Sequence, residues 1–189
     1  FRGGNNLQEK LNLMTNINNK NIKPKKQIVS ILVKNKSNAL FEITKTFSEY
    51  ALNIESLTVG KTQNTDDYRI TVIISCDPES LCDILNSLSE IDQVISISLV
   101  HKDNAIGGEL MMIKVSAQAQ DRPIIQKILK TYNAQVVDIS QNHLMVSAFG
   151  PSMELDELST NLQKYGIVES ARTGYIALEK GDLTSFYTM

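Results

Sequence analysis

From residue 27 the chain settles into a regular alternation of apolar and polar positions. Ile28, Val29, Ser30, Ile31, Leu32 and Val33 form a β-branched apolar run of strand length. Ser37 or Asn38 then supplies a helix N-cap. Leu40, Ile43, Phe47 and Tyr50 follow at the three-and-four spacing of a buried helical stripe. The pattern predicts a strand over 53–61, a polar hairpin loop over 62–67 and a strand over 68–76 with Ile70, Val72 and Ile74 on one face. Asp77-Pro78 reads as an N-cap with proline at the first helical position. Leu81, Ile84, Leu85 and Leu88 mark the helix that follows, and a fourth strand is predicted over 94–101. The order is β-α-β-β-α-β, the ferredoxin-like plan in which helices cover one face of an antiparallel sheet.

Asp103, Asn104, Gly107 and Gly108 read as a short linker, after which the same order restarts. A strand is predicted over 110–117. Asp121 caps a helix carrying Pro123 in its first turn, with Ile125, Ile128 and Tyr132 facing inward. Strands over 134–139 and 143–149 pair around Ser140, Gln141 and Asn142. Gly150-Pro151-Ser152 opens a helix with Leu155, Leu158, Leu162 and Tyr165 on one side, and a strand over 166–178 closes the unit. The fold class expected is α+β, two tandem ferredoxin-like βαββαβ domains over 27–103 and 109–182.

Residues 1–26 differ. They carry seven asparagines and little apolar periodicity, so they read as a disordered arm. Six bases there (Arg2, Lys10, Lys20, Lys23, Lys25, Lys26) face one acid, Glu9, a net +5. The whole chain is at -2, so the remainder is at -7, and a body of that sign does not gather phosphate backbones. Nucleic acid is therefore not an expected partner. The basic, acid-poor arm also reads as the tail of an organellar transit peptide. No apolar run approaches the roughly 18–20 residues of a membrane helix, so no membrane is expected either. Two cysteines, Cys76 and Cys82, are too few to staple a secreted domain and read as reduced thiols. A soluble, intracellular protein of the cytoplasm or the plastid stroma is expected.

No catalytic constellation can be assembled. His101 and His143 have no patterned Ser, Cys or carboxylate partner. Cys76 and Cys82 lack the spacing of a zinc or redox pair. Glu154, Asp156 and Glu157 occupy the first turn of a helix, where its dipole favours them. Binding is better supplied. The stretch 35–40, Asn-Lys-Ser-Asn-Ala-Leu, joins the first strand to the first helix, and a helix start offers free N–H groups to a small carboxylate. Asn53 can accept from an ammonium group while Ile54 or Leu40 touches an aliphatic side chain.

The stretch 27–40, continued through Phe47-Ser48 to Asn53-Ile-Glu-Ser-Leu-Thr-Val-Gly60, resembles the opening of acetohydroxyacid (acetolactate) synthase small subunits. Glu109-Leu-Met-Met-Ile-Lys-Val115, Val137-Asp138-Ile139, Ala171-Arg-Thr-Gly174 and Lys180-Gly181-Asp182 resemble the carboxy-terminal domain of that family. The resemblance implies an ACT domain over 27–103, which pairs with a second copy into a homodimer and builds effector sites at the interface, followed by an ACT-like domain. It implies a regulatory chain without catalytic residues or cofactor of its own. The catalytic subunit it binds uses thiamine diphosphate, magnesium and FAD. The small subunit raises that chain's activity and confers feedback inhibition by a branched-chain amino acid, valine first. Carried over by position, the effector-binding residues are Asn35, Asn38, Ala39, Leu40, Asn53 and Ile54. Two positions depart from the family pattern, which has glycine at the places of Asn38 and Ala51.

Two other readings compete. A tandem ACT sensor of some other enzyme would bind an effector without this partner. An RNA-binding module of the same topology needs exposed aromatics on its central strands, and 68–76 is aliphatic after Tyr68.

Overall fold

The computed structural model describes residues 24–181. The expected arm over 1–26 lies outside this range as far as residue 23, and Asp182 lies outside it too. In the first unit, β1 (Lys25–Lys34) leads through α1 (Ala39–Glu49) to β2 (Ile54–Lys61), β3 (Asp67–Cys76), α2 (Pro78–Ser89) and β4 (Val94–Leu99). The strands lie in the order β2-β3-β1-β4 and every neighbouring pair is antiparallel. Lys25 and Lys26 belong to β1, opposite Cys76 and Ser75, not to the arm.

Both faces of β1 are buried from Ile28 to Val33, which is why its sequence is a continuous apolar run instead of an alternation. Val29, Ile31 and Val33 join Ile70, Val72 and Ile74 of β3 against Ile43 and Phe47 of α1 and Leu81, Ile84, Leu85 and Leu88 of α2. Each large side chain in this core is fully buried, a contribution of about 1.5–3 kcal/mol apiece before chain entropy. Asp77 caps α2 as its position predicts, with Oδ1 accepting from the N–H groups of Glu79 at 3.0 Å and Ser80 at 2.9 Å. Asn38 stands at the N-cap position of α1, yet its side chain makes no capping bond.

The second unit repeats the plan with β5 (Ala105–Ser116), α3 (Arg122–Thr131), β6 (Gln135–Ile139), β7 (His143–Gly150), α4 (Ser152–Gln163), β8 (Ile167–Arg172) and β9 (Ile176–Glu179). The order is β6-β7-β5-β8, and β9 also pairs with β5. Met111, Ile113, Val115, Leu144 and Val146 pack on Ile125 and Leu129 of α3 and Leu155, Leu158 and Leu162 of α4. The tandem α+β, ferredoxin-like architecture read from the sequence is the architecture observed.

Two local expectations are corrected. Gly107 and Gly108 are strand residues of β5, not a linker. They are glycine for space: a Cβ on Gly107 would lie 2.6 Å from the Tyr175 hydroxyl, and one on Gly108 would lie 2.7 Å from the Gly150 carbonyl oxygen. The single strand expected over 166–178 is broken after Arg172, where Gly174 takes a φ of 83° and turns the chain before β9.

Candidate functional site

Each half of the candidate site begins where a strand of the first sheet meets α1. At the end of β1 the Lys34 N–H donates to the Gln93 carbonyl at 2.8 Å, and the Asn35 N–H to that of Asp66 at 2.9 Å. Asn35, Lys36, Ser37 and Asn38 are exposed. Asn38 has φ -101° and ψ -2°, ordinary right-handed backbone, so nothing in the main chain there demands glycine. A glycine in place of Asn38 would contribute room alone.

Ala39 is buried and its N–H donates back to Lys36 at 3.1 Å, so this group already has a partner within the turn. Leu40 is 40% exposed, and Phe41 beside it, which sequence reasoning did not single out, is 63% exposed. The helix therefore starts with an apolar, open first turn. Beneath this loop Lys34 Nζ lies 2.9 Å from Oδ1 of the buried Asp67, whose Oδ2 accepts from Asn64 Nδ2 at 2.6 Å.

The other half lies past the end of α1. Ala51 adopts the left-handed region at φ 52°, and the Leu52 N–H reaches back to the Phe47 carbonyl at 3.1 Å. Asn53 follows, exposed, and Ile54 enters β2 half-buried against the first core. The ladder between β2 and β3 shifts by one residue between Ile54 and Ser56, which makes Glu55 a β-bulge. Its carboxylate takes Lys26 Nζ at 2.6 Å and the Ser75 hydroxyl at 2.6 Å. The Lys26 and Ser75 hydrogen bonds hold the Glu55 carboxyl below its ordinary range, and Glu55 in turn raises Lys26.

The register separates these halves. Ile54 is opposite Ile74, which is opposite Gln27, while Lys61 is opposite Tyr68, which is opposite Val33. β2 thus runs parallel to β1 with β3 between them, and Asn53 lies at the end of the sheet remote from Asn35. At ~3.3 Å per residue, roughly 20–30 Å of strand lies between the two asparagines. Within one domain, Asn35, Asn38, Ala39 and Leu40 are brought together, and Asn53 and Ile54 form a separate group.

Burial pushes the Cys76 thiol up to about 11, with Asp77 and Cys82 adding to the shift, and burial also raises Cys82. Asp156, expected to act only on its helix dipole, accepts from Arg172 Nη2 at 2.6 Å. Arg172 Nη1 also lies 3.5 Å from Oε2 of the buried Glu109, and the Ser152 hydroxyl donates to Glu109 Oε1. The Ala171-Arg-Thr-Gly174 motif therefore ties β8 to β5 and to the start of α4. Among the described residues no group of three or more His, Cys, Asp or Glu is placed to hold a metal, and no helix is long and apolar enough to cross a membrane.

Residues 29–96 match the family described as AHAS small subunit-like ACT domain, and residues 108–181 match the small subunit of acetolactate synthase. The acetolactate synthase small subunit of Mycolicibacterium smegmatis is 35% identical over 153 residues, covering 81% of this chain and 90% of that protein. The chain belongs to the acetolactate synthase small subunits. It is thus a regulatory subunit of that enzyme by family, as its motifs implied. A chloroplastic small subunit of Arabidopsis thaliana is 31% identical over 156 residues, which are 82% of this chain and 32% of that longer protein. The crystal structure of the small subunit from Thermotoga maritima has the same fold, with a TM-score of 0.79, 21% identity, and coverage of 84% of this chain and 99% of that one. In this family's terms the first matched region carries both halves of the candidate site, and the second carries the Glu109–Arg172–Asp156 cluster.

Proposed function

We propose that this chain activates a separate acetolactate synthase catalytic subunit and makes it answer to a branched-chain amino acid, valine first. Thiamine diphosphate, magnesium and FAD are assigned to the catalytic subunit. Residues 27–103 are assigned to effector binding and homodimerisation, and 109–182 to the remainder of the regulatory subunit. Plastid stroma and cytoplasm are the proposed compartments, since relatives include a chloroplastic protein and bacterial ones.

The observation that carries the reading is the separation of Asn35 from Asn53. One domain cannot close both around one small molecule, whereas two copies can. β2 pairs with β3 and stands at one end of the strand order β2-β3-β1-β4. Two β2 edges paired antiparallel about a two-fold axis set the Asn53 end of each copy beside the Asn35 end of the other. The carboxylate of the amino acid is received by N–H groups of the first turn of α1, past the engaged Ala39 N–H. The ammonium is received by the Asn53 carbonyl of the other copy, and Leu40 and Ile54 supply aliphatic contact.

Subunit mixing tests this. Asn35→Ala and Asn53→Ala should each lower valine affinity by about ten- to hundredfold, the loss of one buried polar partner. Equal mixing after subunit exchange should restore about a quarter of the wild-type sites, because half the dimers are mixed and each carries one intact site. A site within one chain would show no restoration. Asn38→Gly should sharpen the response by opening the pocket mouth.

A further inference from the structure

Ile54 and Leu57 are three residues apart, yet both pack against the first core. Strand side chains alternate, so residues three apart face opposite sides of a regular strand. The bulge at Glu55 resolves the conflict. Ile54 is opposite Ile74 and Leu57 opposite Val72, both core residues, with Glu55 the extra residue between them. Were the bulge lost, 53 and 54 would exchange faces, because a one-residue slip reverses every side chain before it.

Glu55 is held from two strands at once. Lys26 on β1 and Ser75 on β3 are opposite one another in the ladder, and both reach the same carboxylate at 2.6 Å. The geometry points to Glu55, with Lys26 and Ser75, as the device that fixes the bulge and so positions Asn53 and Ile54 for the effector. This rests on the effector reading of Asn53. Glu55 acts through its neighbours and is a positioning residue, not an effector contact.

A bulge left to interconvert leaves only a fraction of sites competent, and apparent affinity falls in proportion to that fraction. Valine binding to the full-length chain by titration calorimetry is the test, with wild type, Asn53→Ala, Glu55→Ala, Lys26→Glu and the charge-reversed double variant Lys26→Glu/Glu55→Lys. Thermal melting of each is recorded alongside. Glu55→Ala and Lys26→Glu should each weaken valine binding by roughly three- to tenfold with melting temperatures close to wild type, and the double variant should recover most of the loss. A structural contribution alone would lower melting temperature without recovery of affinity in the double variant, and that result overturns the inference. So does wild-type affinity in Glu55→Ala while Asn53→Ala loses binding, which leaves the effector reading standing. Absence of valine, leucine and isoleucine binding in wild type overturns the effector reading and this inference together.

Discussion

Lys34 and Asp67 are direct partners in the ladder between β1 and β3, and their side chains close the same pair with Nζ 2.9 Å from Oδ1. Only 4% of the Asp67 side chain is exposed, against 51% for Lys34. The pair sits at the root of the loop that carries Asn35 and Asn38. Asp67→Ala removes the acceptor of Asn64 as well as that of Lys34. Urea denaturation should show a loss of about 1 kcal/mol, the net worth of the bonds removed, since the exposed Lys34 and Asn64 are taken up by water. Lys34→Ala should cost at least as much, since it leaves the buried Asp67 carboxylate without its cation.

Ala51 and Asn133 occupy matching places, each the residue after a tyrosine that ends the first helix of its unit, and each lies in the left-handed region at φ 52° and 49°. Asparagine tolerates that conformation and alanine does not, by about 1–2 kcal/mol. Glycine gives back part of the gain through the freedom of the unfolded chain. Ala51→Gly should therefore stabilise the protein by about 0.5–1 kcal/mol. Asn133→Gly should change stability by a few tenths at most. A pair of thermal melts compares them.

Asp77 holds the start of α2, and its hydrogen bonds from Ser80, backbone first and then side chain, keep its carboxyl below the ordinary range. The sign follows from that lowering. The charged form is favoured in the folded state, so its contribution is complete above the unfolded pKa, near 3.9, and is lost as pH falls through the lower folded value. Asp77→Ala should cost about 1 kcal/mol at pH 7, the usual value of a cap. The difference from wild type should shrink below about pH 4 in denaturant titrations.

Cys76 and Cys82 should separate by reactivity. Cys76 is 3% exposed with its thiol pushed up to about 11, so only about one molecule in a thousand is thiolate at pH 8. Cys82 is partly exposed. Iodoacetamide followed by peptide mass analysis should modify Cys82 at least about tenfold faster in the native protein, with Cys76 labelled only on unfolding.

The element order was legible in the sequence because burial here follows period. The helices show three-and-four stripes, β3 alternates, and Asp77-Pro78 marks a helix start by its own chemistry. Close approach was not legible. Gly107 and Gly108 resemble any flexible pair until Tyr175 and Gly150 are seen beside them, some 40 to 70 residues along the chain. As candidates, Asn35, Asn38 and Asn53 were legible by residue type and position alone. Their separation was not, since it depends on two ladder registers and on a bulge that the even spacing of 53–61 conceals.

This chain is expected to regulate a catalytic subunit and to perform no acetolactate chemistry alone. Acetolactate formation from pyruvate tests it, measured with the catalytic subunit of the same source, thiamine diphosphate, magnesium and FAD, with and without this chain. The expected result is no turnover by this chain alone, a higher rate when it joins the catalytic subunit, and suppression of that gain by valine. An unchanged rate on addition of the purified chain, or turnover by the chain itself free of catalytic subunit, would contradict it.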